Sequence, residues 1–188
     1  MGIKDPRLWL AGTVLWGFAE ATFFFIVPDV LLTAAVLVFG LSRAFKLCVA
    51  ASLAAAAGGL LMMQWSLHDI EAARAFLLSI PLIGGDLIAR VQSEMQGAWP
   101  LNLTLGAVTG APYKIYAVEA GALGINEALL AVVSFVARLL RFSLAVGLTW
   151  GGLMFARAVG LRRFASVGLA LAWGSIYAAY IWVRLNAH

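Results

Sequence analysis

The chain has 188 residues, of which 63% are hydrophobic and only 12% are charged, and its mean hydropathy is +0.96. A soluble globular protein carries about twice that charged fraction. In so apolar a chain, the formal net charge of +4 is typical of membrane-surface anchoring and not of a nucleic-acid footprint. The composition therefore excludes a soluble enzyme, a disordered regulator and a nucleic-acid binder, and it indicates a multi-pass membrane protein.

The chain offers few residues for disulfide or metal chemistry. Its one cysteine, Cys48, lies inside an apolar run, so an intramolecular disulfide is impossible. Two histidines, His68 and His188, cannot build a histidine metal site by themselves. We expect no cofactor and no bound metal.

Three stretches are long enough to cross a membrane, which takes roughly 20 apolar residues. Residues 47–67 and 164–183 are uncharged, whereas residues 128–156 contain Arg138 and Arg141. The uncharged 164–183 stretch ends in a group of aromatic residues of the kind found at membrane interfaces, namely Trp173, Tyr177, Tyr180 and Trp182. The sequence predicts an all-α polytopic membrane protein with about three full transmembrane helices.

Two further apolar regions do not fit single spans. Residues 8–42 are too long for a signal peptide and are interrupted by Pro28. The limb after that proline, residues 30–41, would be about 18 Å long, too short for a hydrocarbon core of ~30 Å. Residues 99–124 repeat this design with Pro112 at their centre. Both regions are therefore predicted to be re-entrant hairpins with a proline at the tip.

The two regions also resemble each other in the order of their parts. Aligning Pro28 with Pro112 places Gly40 on Gly124, and each copy then continues into a long apolar span. One crossing between the copies would make them an inverted repeat, as in many transporters. Six to seven crossings without re-entry is the alternative, although several would be too short. We expect a single membrane domain over residues 1–188, made of repeat 1 (about 8–67), a helical interfacial connector (68–97), repeat 2 (about 98–156) and a final transmembrane helix (164–183).

The distribution of basic residues predicts the orientation. If both hairpins are re-entrant, one face carries seven basic residues: Lys4, Arg7, Arg43, Lys46, Arg157, Arg162 and Arg163. The other face carries three: Arg74, Arg90 and Arg184. The positive-inside rule then predicts a cytoplasmic N-terminus and an external C-terminus.

Six charged residues fall inside the apolar regions, where a charge at a helix centre costs about 2.5–3.5 kcal/mol. Such groups persist when they face a cavity or pair with each other. Arg138 and Arg141 are three residues apart and so share one helix face. We predict that these six residues form the substrate-binding and translocation path, between hairpin tips at Pro28 and Pro112: Glu20, Asp29, Lys114, Glu119, Arg138 and Arg141.

Each of these residues also has a structural interpretation. Glu20 and Arg141 could form a buried pair that fixes helix register, and Asp29 could cap the limb that follows it. Lys114 could snorkel to the surface if its hairpin is shallow, and Glu119 could mark a close helix contact.

Small residues and an apolar surface favour helix association. The glycine pairs 58–59 and 151–152 indicate close helix packing. Glycine-rich helices with an apolar surface also make a homodimer plausible.

A cavity that contains both signs of charge suits the anionic head group of a lipid. Arginine binds phosphate through forked hydrogen bonds, and the N-termini of half-helices after Pro28 and Pro112 add partial positive charge. Buried carboxylates that take up and release protons could couple transport to a proton gradient. The charge placement thus predicts a transporter of an anionic membrane lipid, with protons as the candidate coupling ion.

Two motifs carry a resemblance to a known family. The first is GFAEATFF at residues 17–24 followed by VPDVLL at 27–32. The second is GAPYK at 110–114, followed by EAGAL at 119–123 and ARLLRF at 137–142. In their order and separation they resemble the hairpins of the DedA family, also called the VTT or SNARE-associated-Golgi-like family. The resemblance is to the family's short branch and covers about residues 12–155.

The resemblance implies two facing re-entrant hairpins and lipid translocation. Bacterial members are linked to recycling undecaprenyl phosphate across the inner membrane, and eukaryotic relatives to phospholipid scrambling. Glu20 and Asp29 match the family's essential acids, and Lys114 stands roughly where the larger branch has a tip arginine. This chain departs there, because the paired arginines are reduced to one lysine, and Arg138 and Arg141 would supply charge from the next helix. The resemblance implies a flippase of the bacterial inner membrane and leaves the lipid open.

An enzyme is the main alternative class, and we expect that the chain is not one. An intramembrane serine protease needs a buried His, yet His68 falls in the connector and His188 is the last residue. An intramembrane aspartyl protease needs Gly-x-Gly-Asp, which the Ile-Gly-Gly-Asp of residues 83–86 does not match. The sequence has no nucleotide-binding loop. Three non-enzymatic alternatives stay open: a phospholipid scramblase, a proton-coupled small-solute transporter, and a non-transporting envelope-integrity factor whose charges are structural.

Overall fold

The computed structural model describes residues 5–185, and for residues 108, 184 and 185 it describes the backbone alone. Lys4 and His188, which entered the sequence predictions, lie outside the described residues, as does the side chain of Arg184. Within residues 5–185 the chain is helical and has no strand, so the all-α prediction is confirmed. The helices are α1 (Pro6–Thr22), α2 (Asp29–Phe39), α3 (Leu41–His68), α4 (Ile70–Ser79), α5 (Gly85–Met95), α6 (Trp99–Thr109), α7 (Tyr113–Ala122), α8 (Glu127–Ala158) and α9 (Ala165–Leu185), with a 3₁₀ turn at Arg162–Phe164 before α9.

Three helices are long and apolar enough to cross a membrane, as predicted: α3 with 28 residues, α8 with 32, and the segment Arg162–Val183 with 22. The first begins at Leu41 and not at residue 47, because Gly40 adopts φ 82° and lets α2 turn directly into α3. Helix α3 thus starts immediately after the turn at Gly40.

The helices α1 and α2 form hairpin 1, whose tip is residues 23–28. The ring of Trp9, near the start of α1, meets Phe39 at the end of α2 with 5.4 Å between centroids, so α2 folds back along α1. The sequence placed the helix break at Pro28, but α1 already ends at Thr22. The Phe24 N–H closes the helix by donating to the Ala19 carbonyl at 2.7 Å, a C-terminal closure that a proline-based prediction does not anticipate.

The helices α6 and α7 form hairpin 2, whose tip is residues 110–112. Gly110 adopts φ 90°, a left-handed conformation that ends α6 and favours glycine. Tyr116 of α7 packs against Gly106 of α6, four residues on either side of the tip, so the second limb also folds back. The break predicted around Pro112 is therefore found.

The central helix is α3, which packs against α1, α2, α4, α7 and α8. Buried apolar side chains form two clusters, one at the end of the molecule that carries the connector and one at the opposite end. On α8, Arg138 and Arg141 lie between Ala137 of the connector-end cluster and Phe142 of the opposite cluster. The buried charges therefore occupy a layer between two apolar cores.

The glycine pairs have two different environments. A Cβ on Gly58 would lie 2.9 Å from the Phe18 carbonyl oxygen, and Gly59 faces the Tyr113 ring, which confirms close packing at 58–59. The same prediction is wrong for Gly151 and Gly152, where an added Cβ would meet no atom within 4 Å. These two glycines lie on the open side of α8 and not at a helix contact.

Candidate functional site

A cavity of about 230 Å³ lies where the tips of the two hairpins meet. The hairpin tips, α8, α9 and the loop between α4 and α5 together form its wall. Its charged lining residues are Glu20, Lys114, Arg138 and Arg141. Four of the six residues predicted from the sequence therefore line one cavity.

Glu20 and Arg138 form a buried pair in the cavity wall. Arg138 Nη2 donates to Glu20 Oε1 at 3.3 Å, and the two side chains are 2% and 5% exposed, respectively. The guanidinium also lies over the Tyr113 ring, 4.5 Å from its centroid. Glu20 Oε2 and Arg138 Nε are buried without a hydrogen-bond partner among the described residues. Since buried polar atoms are nearly always paired, these two atoms leave the Glu20–Arg138 pair incompletely bonded by the described side chains.

Asp29 and Arg141 form the second pair of the charged layer. Arg141 Nε and Nη2 donate to Asp29 Oδ2 at 3.2 and 3.1 Å, and Nη1 donates to the Ala107 carbonyl. The Glu20–Arg141 pair considered from the sequence is therefore wrong, because Glu20 lies against Arg138. Asp29 is the first residue of α2, and its carboxylate binds Arg141. The N-cap residue of α2, Pro28, makes no side-chain capping hydrogen bond. This pair joins hairpin 1 to α8 and, through Ala107, to hairpin 2.

Lys114 ties the tip of hairpin 2 to the tip of hairpin 1. Its side chain is buried, and Nζ donates to the Phe24 carbonyl at 3.1 Å. The snorkelling interpretation is therefore wrong, because the ammonium points into the molecule. The layer holds three cations, Lys114, Arg138 and Arg141, against the acids Glu20 and Asp29, which leaves one positive charge in excess.

An aromatic wall from α9 closes one side of the cavity. Trp173 Nε1 donates to Thr33 Oγ1 at 2.9 Å, and the Val27 N–H of the first tip donates to the Tyr177 hydroxyl at 2.9 Å. Tyr180 lines the cavity one turn further along α9. The sequence interpretation gave these aromatics no role beyond the interface. Their spacing at 173, 177 and 180 places them on one helix face, and this spacing could have predicted a shared aromatic surface.

The loop between α4 and α5 covers the connector side of the cavity with Ile80, Pro81, Leu82 and Ile83. Leu82 adopts φ 70°, a left-handed conformation that costs free energy for a residue with a bulky side chain. The sequence interpretation missed this loop, because neither the conformation of Leu82 nor its position over the tips has a local sequence signal.

Glu119 lies outside the cavity, although the sequence grouped it with the translocation residues. Its carboxylate accepts from Nε and Nη2 of Arg74 in α4, at 2.9 and 2.7 Å. These hydrogen bonds raise the pKa of Arg74 above its ordinary value. Glu119 therefore attaches the connector to hairpin 2.

A second attachment lies on α5. Glu94 accepts from Arg90 Nε at 2.8 Å and from the Tyr116 hydroxyl of α7. Burial alone would raise the pKa of Glu94, but the hydrogen bonds from Tyr116 and Arg90 outweigh burial and hold that pKa below its ordinary value. We call these two attachments, Arg74–Glu119 and Arg90–Glu94–Tyr116, the connector network.

The chain matches no family model, no curated protein and no solved structure. Within residues 5–185, no group of three or more His, Cys, Asp or Glu side chains is placed to hold a metal ion. The cavity itself offers guanidinium and ammonium donors together with one carboxylate acceptor, Glu20. Such a set binds an anion that also carries a hydrogen-bond donor.

Proposed function

We propose that this protein is a DedA-type lipid transporter that moves an anionic lipid, with undecaprenyl phosphate as the favoured substrate, across the bacterial inner membrane. The observation that carries the proposal is the pair of buried orphan atoms, Glu20 Oε2 and Arg138 Nε, on residues that line the cavity, in a charged layer with one positive charge in excess. A phosphate monoester in its monoanionic form has oxygens that accept from Arg138 and a hydroxyl that donates to Glu20. The diester phosphate of an ordinary phospholipid has no such hydroxyl.

The short helices of the hairpins support a re-entrant arrangement. Helices α2, α6 and α7 have 11, 11 and 10 residues. At 1.5 Å per residue each is about 15–17 Å long, roughly half of a ~30 Å hydrocarbon core. Non-helical backbone is tolerated at membrane depth where other groups satisfy it, as Lys114 does for Phe24 and Tyr177 for Val27. We propose that both hairpins enter the bilayer from opposite faces and meet near its midplane.

The remaining assignments belong to the same proposal. The excess of basic residues on one face supports a cytoplasmic N-terminus. Glu20, held by one hydrogen bond in the cavity wall, is the group that would take up and release a coupling proton. No residue in the most apolar part of the segment Arg162–Val183 is fully buried, and this exposed apolar surface supports contact with lipid or with a second copy of the chain. We infer that the chain is a transporter and not an enzyme.

The test is head-group accessibility of labelled undecaprenyl phosphate in proteoliposomes, with and without a pH gradient. Wild type is compared with Glu20→Gln, which keeps the shape of the side chain and removes its charge. We expect at least about a tenfold loss of translocation, because a hydrogen bond to a charged group contributes about 1.5–3 kcal/mol. Glu71→Gln makes the same chemical change at an exposed acid of α4 and is the matched control.

Three results would decide between the alternatives. Equal translocation by Glu20→Gln and Glu71→Gln would contradict a role for the charged cavity. Equilibration of phospholipids while undecaprenyl phosphate stays in one leaflet would identify a scramblase. Failure of folded wild-type protein to move any lipid would overturn the lipid proposal and favour a small-solute transporter or a structural factor.

A further inference from the structure

A second, apolar groove of about 470 Å³ lies between α2, α8 and α9. Helix α8 contributes one face over residues 148–156, which is about 12 Å of helix, and the opposite wall comes from residues 161–172. The lining is hydrocarbon apart from Thr149, whose hydroxyl donates to the Ala145 carbonyl at 2.9 Å. The groove therefore offers no unsatisfied polar side chain and no charge to a ligand.

Two glycines open this groove. Gly152 of α8 and Gly168 of α9 line it, and a Cβ on either would meet no atom within 4 Å. A side chain at either position would therefore meet no steric obstacle at its Cβ, yet both positions are glycine and the space is left open. This is the physical reason that Gly152 does not serve the close helix packing predicted from the sequence.

The groove lies next to the charged cavity on α8 and α9. On α8, Arg141 lines the cavity and Leu148 lines the groove, seven residues and about 10 Å apart on the same face. On α9, Trp173 lines the cavity and the preceding residue, Ala172, lines the groove. The indole of Trp173 therefore lies at the boundary between the two.

Helix α2 contacts the boundary residue Trp173 and also lines the groove. Thr33 accepts the hydrogen bond from the Trp173 indole, and Leu37, one helical turn further, lines the groove. On α8 and α9 the lining thus changes from charged or hydrogen-bonding residues in the cavity to apolar residues in the groove. A ligand that spans both sites must be polar at one end and apolar at the other.

We propose that this groove binds the hydrocarbon chain of the lipid whose phosphate binds in the charged cavity, with Trp173 at the junction of head group and chain. The inference rests on the proposed lipid transport and adds a chain-binding subsite to it. One groove beside one cavity fits a single-chain lipid such as a polyprenyl phosphate.

The test fills the groove without touching the charges. Gly152→Leu and Gly168→Leu place a side chain in the groove, and both changes improve helix propensity. The matched controls are Gly151→Leu on α8 and Gly174→Leu on α9, which also meet open space but do not line the groove. We expect each groove variant to lower translocation of labelled undecaprenyl phosphate in proteoliposomes by about tenfold, and each control to stay within about twofold of wild type.

A photoreactive group on the polyprenyl chain gives a second readout, with cross-linked peptides from α8 and α9 expected in wild type and lost in Gly152→Leu. If wild type moves the lipid and the groove variants behave like their controls, the chain-binding inference is overturned while lipid transport stands. If folded wild type neither moves nor cross-links the lipid, both fail. If Gly152→Leu but not Gly151→Leu changes the oligomeric state in detergent, the groove binds a second copy of the chain and the inference is overturned.

Discussion

The charged cavity and the connector network both contain ion pairs, but the pairs are built differently. In the connector network, Arg74 forms two short hydrogen bonds with Glu119, and the Arg74 side chain is 36% exposed. In the cavity, Arg138 forms one bond of 3.3 Å with Glu20, and both side chains are almost fully buried. The more deeply buried pair is therefore the less completely bonded one.

This difference distinguishes a fully bonded attachment from a buried pair with unsatisfied atoms. A buried charge that lacks bonds costs more free energy than an exposed one, so a pair used only for stability should be the better bonded where burial is greater. Glu20 and Arg138 violate that expectation, and their unpaired atoms belong to residues that line the cavity. The connector network holds two parts of the fold together, whereas the cavity pair leaves two buried polar atoms without a partner among the described residues.

The largest effect on stability is expected from breaking the cavity pair. Glu20→Leu leaves Arg138 buried without its carboxylate partner, and we expect a loss of about 3–5 kcal/mol in the free energy of unfolding. The double variant Glu20→Leu/Arg138→Leu removes the stranded guanidinium and should recover at least half of that loss, but not translocation. Reversible unfolding in detergent micelles measures both variants, and a double variant as unstable as the single one would contradict the pairing.

A smaller effect is expected at the connector. Arg74→Gln removes the bidentate bond to Glu119, and because Arg74 is partly exposed we expect a loss of about 1–2 kcal/mol. Hydrogen exchange of α4 should become faster, while undecaprenyl phosphate translocation should fall by less than about threefold. A complete loss of translocation in folded Arg74→Gln would place the connector network in the transport path. It would contradict the interpretation that this network only attaches the connector to hairpin 2.

The smallest effect concerns the pH dependence of the α5 attachment. Because hydrogen bonds hold the pKa of Glu94 below its ordinary value of 4.5, ionised Glu94 contributes stability that is fully present above that value. The contribution is lost as pH falls below it, through the lowered pKa of the folded state. The stability difference between wild type and Glu94→Gln should therefore shrink between pH 6 and pH 3. A difference that does not change with pH over this range would show that the bonds to Glu94 are not charge-dependent.

Sequence patterns predicted the helical elements and most of the charged layer. Uncharged runs of about 20 residues predicted the long helices, because lipid admits few other structures. Charges inside apolar regions predicted that Glu20, Lys114, Arg138 and Arg141 meet, since each is costly in lipid unless it faces a cavity or a partner. The re-entrant topology, the family and the lipid substrate stay predictions.

Which charge pairs with which was not predictable. Arg138 and Arg141 share a face of α8, so the choice between Glu20 and Asp29 depends on how α8 is rotated against hairpin 1, which no local pattern reports. The sequence neighbours of Glu119 are apolar or small and do not indicate its partner. That partner, Arg74, lies in the connector, and tertiary packing decides where the connector docks. The open space at Gly152 likewise depends on where α9 lies.

The sequence separation within the two cavity pairs has a consequence for biosynthesis. Glu20 lies 118 residues before Arg138, and Asp29 lies 112 residues before Arg141. Both acids are therefore made before the helix that carries the two arginines, each of which costs about 2.5–3.5 kcal/mol at the centre of a bilayer when unpaired. The partners that neutralise Arg138 and Arg141 in the fold therefore precede α8 in the order of synthesis.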